Sequence, residues 1–137
     1  MIKLKMLLEN SNDLIKQVNS KYPVAGPIVD GREVLDNVDN TSSIGASLYK
    51  WYTLPDIREV PMSDFSTTGK HYSVQGTNRI KQLEWEIENS KTISPLIVVV
   101  DKEGPYVLEG SHRINALHNI KAKSFPALVV IDTEERE

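Results

Sequence analysis

This sequence predicts an α+β fold, a small mixed β-sheet with helices packed against at least one face, and three observations carry that prediction. Two apolar runs, "LIVVV" at 96–100 and "PALVVI" at 126–131, have strand length and lack the polar alternation of a half-exposed strand. Ile80, Leu83 and Ile87 recur at helical spacing, and so do Ile114, Leu117 and Ile120. Between the first run and "PYVLE" at 105–109 stands "DKEG", a turn that makes a hairpin of the two. The second half therefore reads helix, strand, strand, helix, strand.

Taken in order, "SNDLIKQVN" at 11–19 sets Leu14, Ile15 and Val18 on one helical face, with Asn10 or Ser11 as the N-cap. Pro23, Gly26, Pro27 and Gly31 then punctuate a loop, and "DNVDNTSSIGAS" at 36–47 is polar enough to be a linker or surface loop. "LYKWYTLPDIREV" at 48–60 has aromatic and β-branched residues on both sides of Pro55, which predicts short strands with a break between them, one of them Ile57 to Val60. The polar stretch 66–78 is long for a connection, either a lid or binding loop or an ordinary surface loop. A helix over 77–89 follows, with Thr77 as its N-cap and Glu84, Glu86 and Glu88 largely off its apolar face. No internal repeat or low-complexity segment interrupts the chain.

With 137 residues the chain is the size of one domain able to bury a core. Its hydrophobic (39%) and charged (26%) fractions are those of soluble proteins, and no apolar run approaches the roughly 20 residues of a membrane span. "MIKLKMLLENSND" has an interrupted apolar run and no small-residue cleavage site, so no secretory signal, no membrane partner and a cytoplasmic location are expected. The absence of cysteine excludes disulfides, thiolate catalysis and thiolate-ligated metals. A net charge of −3 gives little long-range attraction to nucleic acid. Arg113, Lys121 and Lys123 nevertheless lie close together in sequence, with Asp30, Glu33, Asp36 and Asp39 and the acidic tail elsewhere, so a local positive potential is expected near them.

The chemistry concentrates in "VLEGSHRINAL" at 107–117. The first amides of a helix lack intrahelical partners and carry the positive end of its dipole, which makes a strand-to-helix junction an anion site. Gly110 would let a ligand approach the backbone; Ser111 would cap the helix or bond a phosphate oxygen. His112 carries or donates a proton near neutral pH, and Arg113 offers a planar fork that suits phosphate or carboxylate. The same residues also fit a plain turn and N-cap, with His112 in solvent and Arg113 paired with Glu109 or another acid.

Across residues 57–131 the chain resembles the ParB/sulfiredoxin-like superfamily, through "IREVPMSDF", "NRIKQLEWEI", "ISPLIVVVDKEGPYVLEGSHRINAL" and "SFPALVV" in that order. The resemblance implies residues 51–137 as a domain of that fold and residues 1–50 as an N-terminal extension with a short helix and loops, the two expected to form one compact unit. In sulfiredoxins the box matching "GSHR" is Gly-Cys-His-Arg, whose glycine and His-Arg pair hold nucleotide phosphates while the cysteine attacks. By resemblance, then, Gly110, Ser111, His112 and Arg113 hold polyphosphate here, but Ser111 occupies the cysteine position and thiol-based sulfinic acid reduction is excluded. Partitioning ParB proteins have a box richer in arginine that binds CTP; only Gly110 and Arg113 keep its pattern, so a centromere-binding clamp is not expected. Free-serine kinases of the superfamily are similar to "EGSHR" in carrying an acid, glycine and His-Arg, and use a nucleotide as phosphoryl donor with a carboxylate as base.

The resemblance further implies that Arg79, in the first turn of the 77–89 helix, touches the nucleotide, with Gln82 one turn on facing the same ligand. Without it, Arg79 reads as a solvated residue pairing with Glu84 or Glu86. Relatives place an arginine shortly after the Val-Pro strand; none stands here before Lys70, and Lys70 or His71 is expected to take its place. Candidate base or metal carboxylates are Glu59, Asp64, Asp101 and Glu109, although Glu59 and Glu109 also read as surface acids.

The resulting expectation is a domain that binds ATP, ADP or CTP, with Mg2+ as a companion but no protein-built metal site, and that hydrolyses the nucleotide or transfers a phosphoryl group. His112, Glu109 and Glu59 are its catalytic candidates. The alternatives are a non-catalytic accessory protein that binds DNA or a protein partner, and a ParB-like nuclease.

Overall fold

Leu96 to Val100 is apolar on both sides because it lies in the middle of a sheet covered on both faces. The computed structural model describes residues 11–65 and 73–134. Its elements run α1 (Ser11–Lys21), β1 (Ile28–Val29), β2 (Arg32–Val34), α2 (Ser42–Ser47), β3 (Trp51–Thr53), β4 (Arg58–Pro61), a 3-10 turn (Met62–Asp64), α3 (Val74–Ser90), β5 (Thr92–Ile93), β6 (Leu96–Asp101), β7 (Gly104–Glu109), α4 (Ser111–Asn119) and β8 (Ser124–Asp132). The fold is a small α+β fold with mixed sheets, and its second half follows the expected order, with the short β5 added.

The main sheet has the order β3-β8-β6-β7, with β4 also paired to β8. β6 and β8 are parallel, with Leu96 opposite Ala127 and Val100 opposite Ile131, while β6 and β7 form the antiparallel hairpin. Asp101 closes that hairpin by accepting from the Glu103 and Gly104 amides at 2.8 and 3.1 Å. Side chains alternate across the sheet. Leu96, Val98, Val100, Val129 and Ile131 enter the large core with α1, α3 and α4. Ile97, Val99 and Val130 pack on the other face against Ile44 and Leu48.

That second face corrects the reading of 36–47 as a linker or surface loop. Its Ile44 is buried in α2, and Leu48 ends the same turn. A six-residue helix holding one buried residue is too short to show periodicity.

Residues 23–34 hold a second feature missed as a loop. Asp30 and Gly31 have φ of +49° and +78°, the left-handed pair of a tight hairpin, and join β1 to β2. β2 then runs parallel to β5, pairing Glu33 with Thr92 and Val34 with Ile93. Asp30 also accepts from the Lys123 amide at 2.9 Å. Residues 28–34 are thereby tied both to the segment before β6 and to the segment after α4. The Asp-Gly signal was present, but its flanking strands are too short to alternate visibly.

Helix α3 begins three residues before the expected start at 77, and Ser73, not Thr77, is its N-cap: the Ser73 hydroxyl accepts from the Gly76 amide at 3.1 Å. Val74 is exposed and Gly76 reads as a breaker, so the first turn leaves no apolar trace. Arg58 is the buried cation of the fold, 4% exposed. It donates to the Pro55 and Tyr22 carbonyls at 3.0 Å and to Asn19 Oδ1 at 2.7 Å, fastening the end of α1 to the start of β4. No helix among the described residues is long and apolar enough to cross a membrane.

Candidate functional site

The β7–α4 junction is shaped by a bulge. The register shifts between Ile97 and Val98, so that Val107 faces Val98 while Glu109 faces Ile97. A bulge re-aims the residues at a strand end. Simple alternation therefore does not decide the direction of Glu109, which lines a cleft of about 750 Å3.

Gly110 follows with φ +113° and ψ +29° as the N-cap of α4. A Cβ there would stand 2.7 Å from Leu96 Cγ and 3.0 Å from its Cδ2. The expectation that this glycine makes room for a ligand is thus corrected: the space is filled by the core, and glycine is required by backbone conformation and by Leu96. Ser111 likewise is not the cap but the first helical residue; the cap position is Gly110, which has no side chain to offer. The first turn, Ser111 to Arg113, is half-buried and lines the cleft, which places the positive end of the helix dipole there.

Arg113 is held from behind. Its Nη1 donates to the Ser94 carbonyl at 2.7 Å and to that of Pro95 at 3.4 Å. Burial lowers the pKa of this guanidinium; the charges of Asp39 and Glu109 raise it, and that of Arg79 lowers it. These influences put Arg79, Asp39 and Glu109 around one cation. A guanidinium has donors on three nitrogens, so anchoring one leaves a fork that can meet an anion in the cleft it lines.

The opposite wall is α3. Arg79, Leu83, Glu86, Ile87 and Ser90 line the cleft at offsets of 0, 4, 7, 8 and 11, one face of a helix and about 16 Å of length. Arg79 is exposed, as the solvated reading has it, but its two candidate partners bond elsewhere: Glu84 accepts from Asn119 at 2.9 Å and Glu86 from Gln82 at 3.1 Å. Gln82 does not line the cleft and reaches it only through Glu86. The remaining wall, Leu35, Asp39 and Asn40, comes from the N-terminal segment and was not foreseen. Its acids were placed apart from the "GSHR" box because they are distant in sequence; the β2–β5 pairing brings the segment that follows them alongside. Lys121 and Lys123, expected near the same potential, follow the far end of α4 and do not line the cleft.

The other carboxylates are occupied elsewhere. Glu59 accepts from the Ser124 hydroxyl at 2.7 Å beside β8 and is not a cleft residue, which separates it from His112 and Glu109. Asp64 accepts from the Tyr22 hydroxyl at 2.7 Å and meets Lys21 at 3.1 Å, while Asp101 holds its hairpin. Lys70 and His71 lie outside the described residues. Among the described residues no group of three or more histidines and carboxylates could hold a metal ion. The structure thus joins Arg79, Glu109, Gly110, Ser111, His112 and Arg113 in one cleft and leaves out Glu59 and Gln82.

Compared with models of known protein families the chain matches none, and compared with curated proteins it has no match.

Proposed function

We propose that the chain is a nucleotide-binding domain of the ParB/sulfiredoxin-like kind, taking the polyphosphate of its ligand between the N-terminus of α4 and Arg79 of α3. One observation carries this reading. Two arginines on separate elements and the first turn of a helix converge on a cleft of about 750 Å3, a volume within the range of small-molecule and cofactor sites. Arg113, anchored on the Ser94 and Pro95 carbonyls, acts as a preset fork; Arg79 closes on the phosphate from the exposed side of α3.

Where the bound nucleotide is turned over, Glu109 is the carboxylate in reach of the phosphate end. It takes the proton of a water or hydroxyl as that oxygen bonds the terminal phosphorus and the nucleoside diphosphate leaves. His112 can return a proton, and Arg79 and Arg113 spread the charge on the transferred group. Magnesium fits this site as a companion of the phosphates, held by their oxygens with one or two carboxylates; among the described residues there is no ligand cluster that would hold it alone.

Isothermal titration with ATP, ADP and CTP, with and without magnesium, tests the reading. Binding by the wild type that weakens about tenfold or more in both Arg113→Ala and Arg79→Ala supports it. No heat at millimolar nucleotide overturns it.

A further inference from the structure

The phosphate reading leaves the acids of the cleft unexplained. Among the described residues that line it, Arg79 and Arg113 bring +2, while Asp39, Glu86 and Glu109 bring −3. The arginines and the helix N-terminus meet the phosphate; the acids are used by a ligand that also presents hydrogen-bond donors.

Asp39 and Glu109 act on the Arg113 charge, so they sit toward the phosphate end. Glu86 is different. It stands seven residues from Arg79 on the same helix face, about 10 Å along the axis. It is half-buried and is steadied by Gln82, whose amide donates to Glu86 Oε2. Buried Leu83 and Ile87 flank it, and Ile93 adds to the same apolar floor. An apolar floor with an oriented acceptor at its edge, about 10 Å along the helix axis from Arg79, has the shape of a seat for a flat ring bearing an amine.

Resting on the phosphate-binding reading, we propose that Glu86 reads the nucleobase by accepting from an exocyclic amine, so that the cleft selects adenine or cytosine nucleotides against their oxo counterparts. A carbonyl oxygen placed against the Glu86 carboxylate would leave two acceptors facing one another without a proton between them. Gln82 is the positioning residue, and its loss should blunt the selection without abolishing it.

The experiment compares ATP with ITP, and CTP with UTP, by isothermal titration on the full chain. The wild type should hold each amine-bearing nucleotide about tenfold more tightly than its oxo partner. Glu86→Gln, whose amide can serve either base, should bring each ratio to within about twofold, while Gln82→Ala should give an intermediate ratio. Both positions are on the helix surface, and circular dichroism confirms that the variants fold. Equal binding of ATP and ITP by the wild type, or a preference that survives in Glu86→Gln, overturns the proposal and leaves the phosphate cleft standing. Failure of every nucleotide to bind overturns both.

Discussion

Replacing Gly110 by alanine separates two accounts of the "GSHR" box. If this glycine exists to admit a ligand, Gly110→Ala should weaken binding and leave stability alone. The structure requires the reverse. At φ +113° an alanine is strained, a cost of about 1–3 kcal/mol. Its Cβ would also lie 2.7 Å from Leu96 Cγ, where the side chain belongs to a packed core, and overpacking adds about 1–3 kcal/mol. The total, about 2–6 kcal/mol, is a large part of the stability of a domain this size. With an unfolding entropy of about 0.3 kcal/mol/K for 137 residues, the midpoint should fall by about 7–20 °C. Urea unfolding followed by circular dichroism measures the change directly. Because the clash is specifically with Leu96, Gly110→Ala combined with Leu96→Ala should cost less than the separate effects added together, by about 1–3 kcal/mol. A single variant within about 0.5 kcal/mol of the wild type, or a double variant that is simply additive, refutes the packing account.

Other outcomes follow from the same contacts. Arg58→Met should destabilise by about 3 kcal/mol or more, since it strands the carbonyls of Pro55 and Tyr22 and the Asn19 side chain; urea unfolding reads this, and a loss under about 1 kcal/mol contradicts it. Asp39→Asn should tighten nucleotide binding about threefold at low salt and less at high salt, because it removes a negative charge facing the phosphate site; titration at two ionic strengths checks it, and unchanged or weaker binding counts against the placement. Burial, first, and the hydrogen bond and charge of Asp64 push the Tyr22 hydroxyl above its usual value. A raised pKa favours the protonated folded state, so this stabilisation is complete below about pH 10, where the unfolded tyrosine titrates, and is lost as pH climbs beyond it. Tyr22→Phe should flatten that alkaline decline in urea midpoints; an unchanged slope refutes the assignment.

The half of the fold built from long, strongly patterned elements was legible from residues alone. Ile80, Leu83 and Ile87 announce α3, and the runs at 96–100 and 126–131 announce β6 and β8, because burial on both faces demands an apolar residue at every position. The "GSHR" box, too, declared a strand-to-helix junction. What it did not declare was the job of each member. Gly110 looks permissive in sequence and is constrained in space, since only folding brings Leu96 against it.

Charge placement and the N-terminal half belong to tertiary structure. Strands of two or three residues such as β1, β2 and β5 show no periodicity, and their pairing joins segments with no local signal in common. That pairing leads Leu35, Asp39 and Asn40 into the cleft, while Ile44 and Leu48 cover the second face of the sheet. Sequence by itself determined the long helices and strands of the second half and the strand-to-helix junction between them, because those properties arise from neighbours a few residues apart. Only the packed chain decided which acids stand beside Arg113, since electrostatics depends on distance through space and the residues concerned are far apart along the chain.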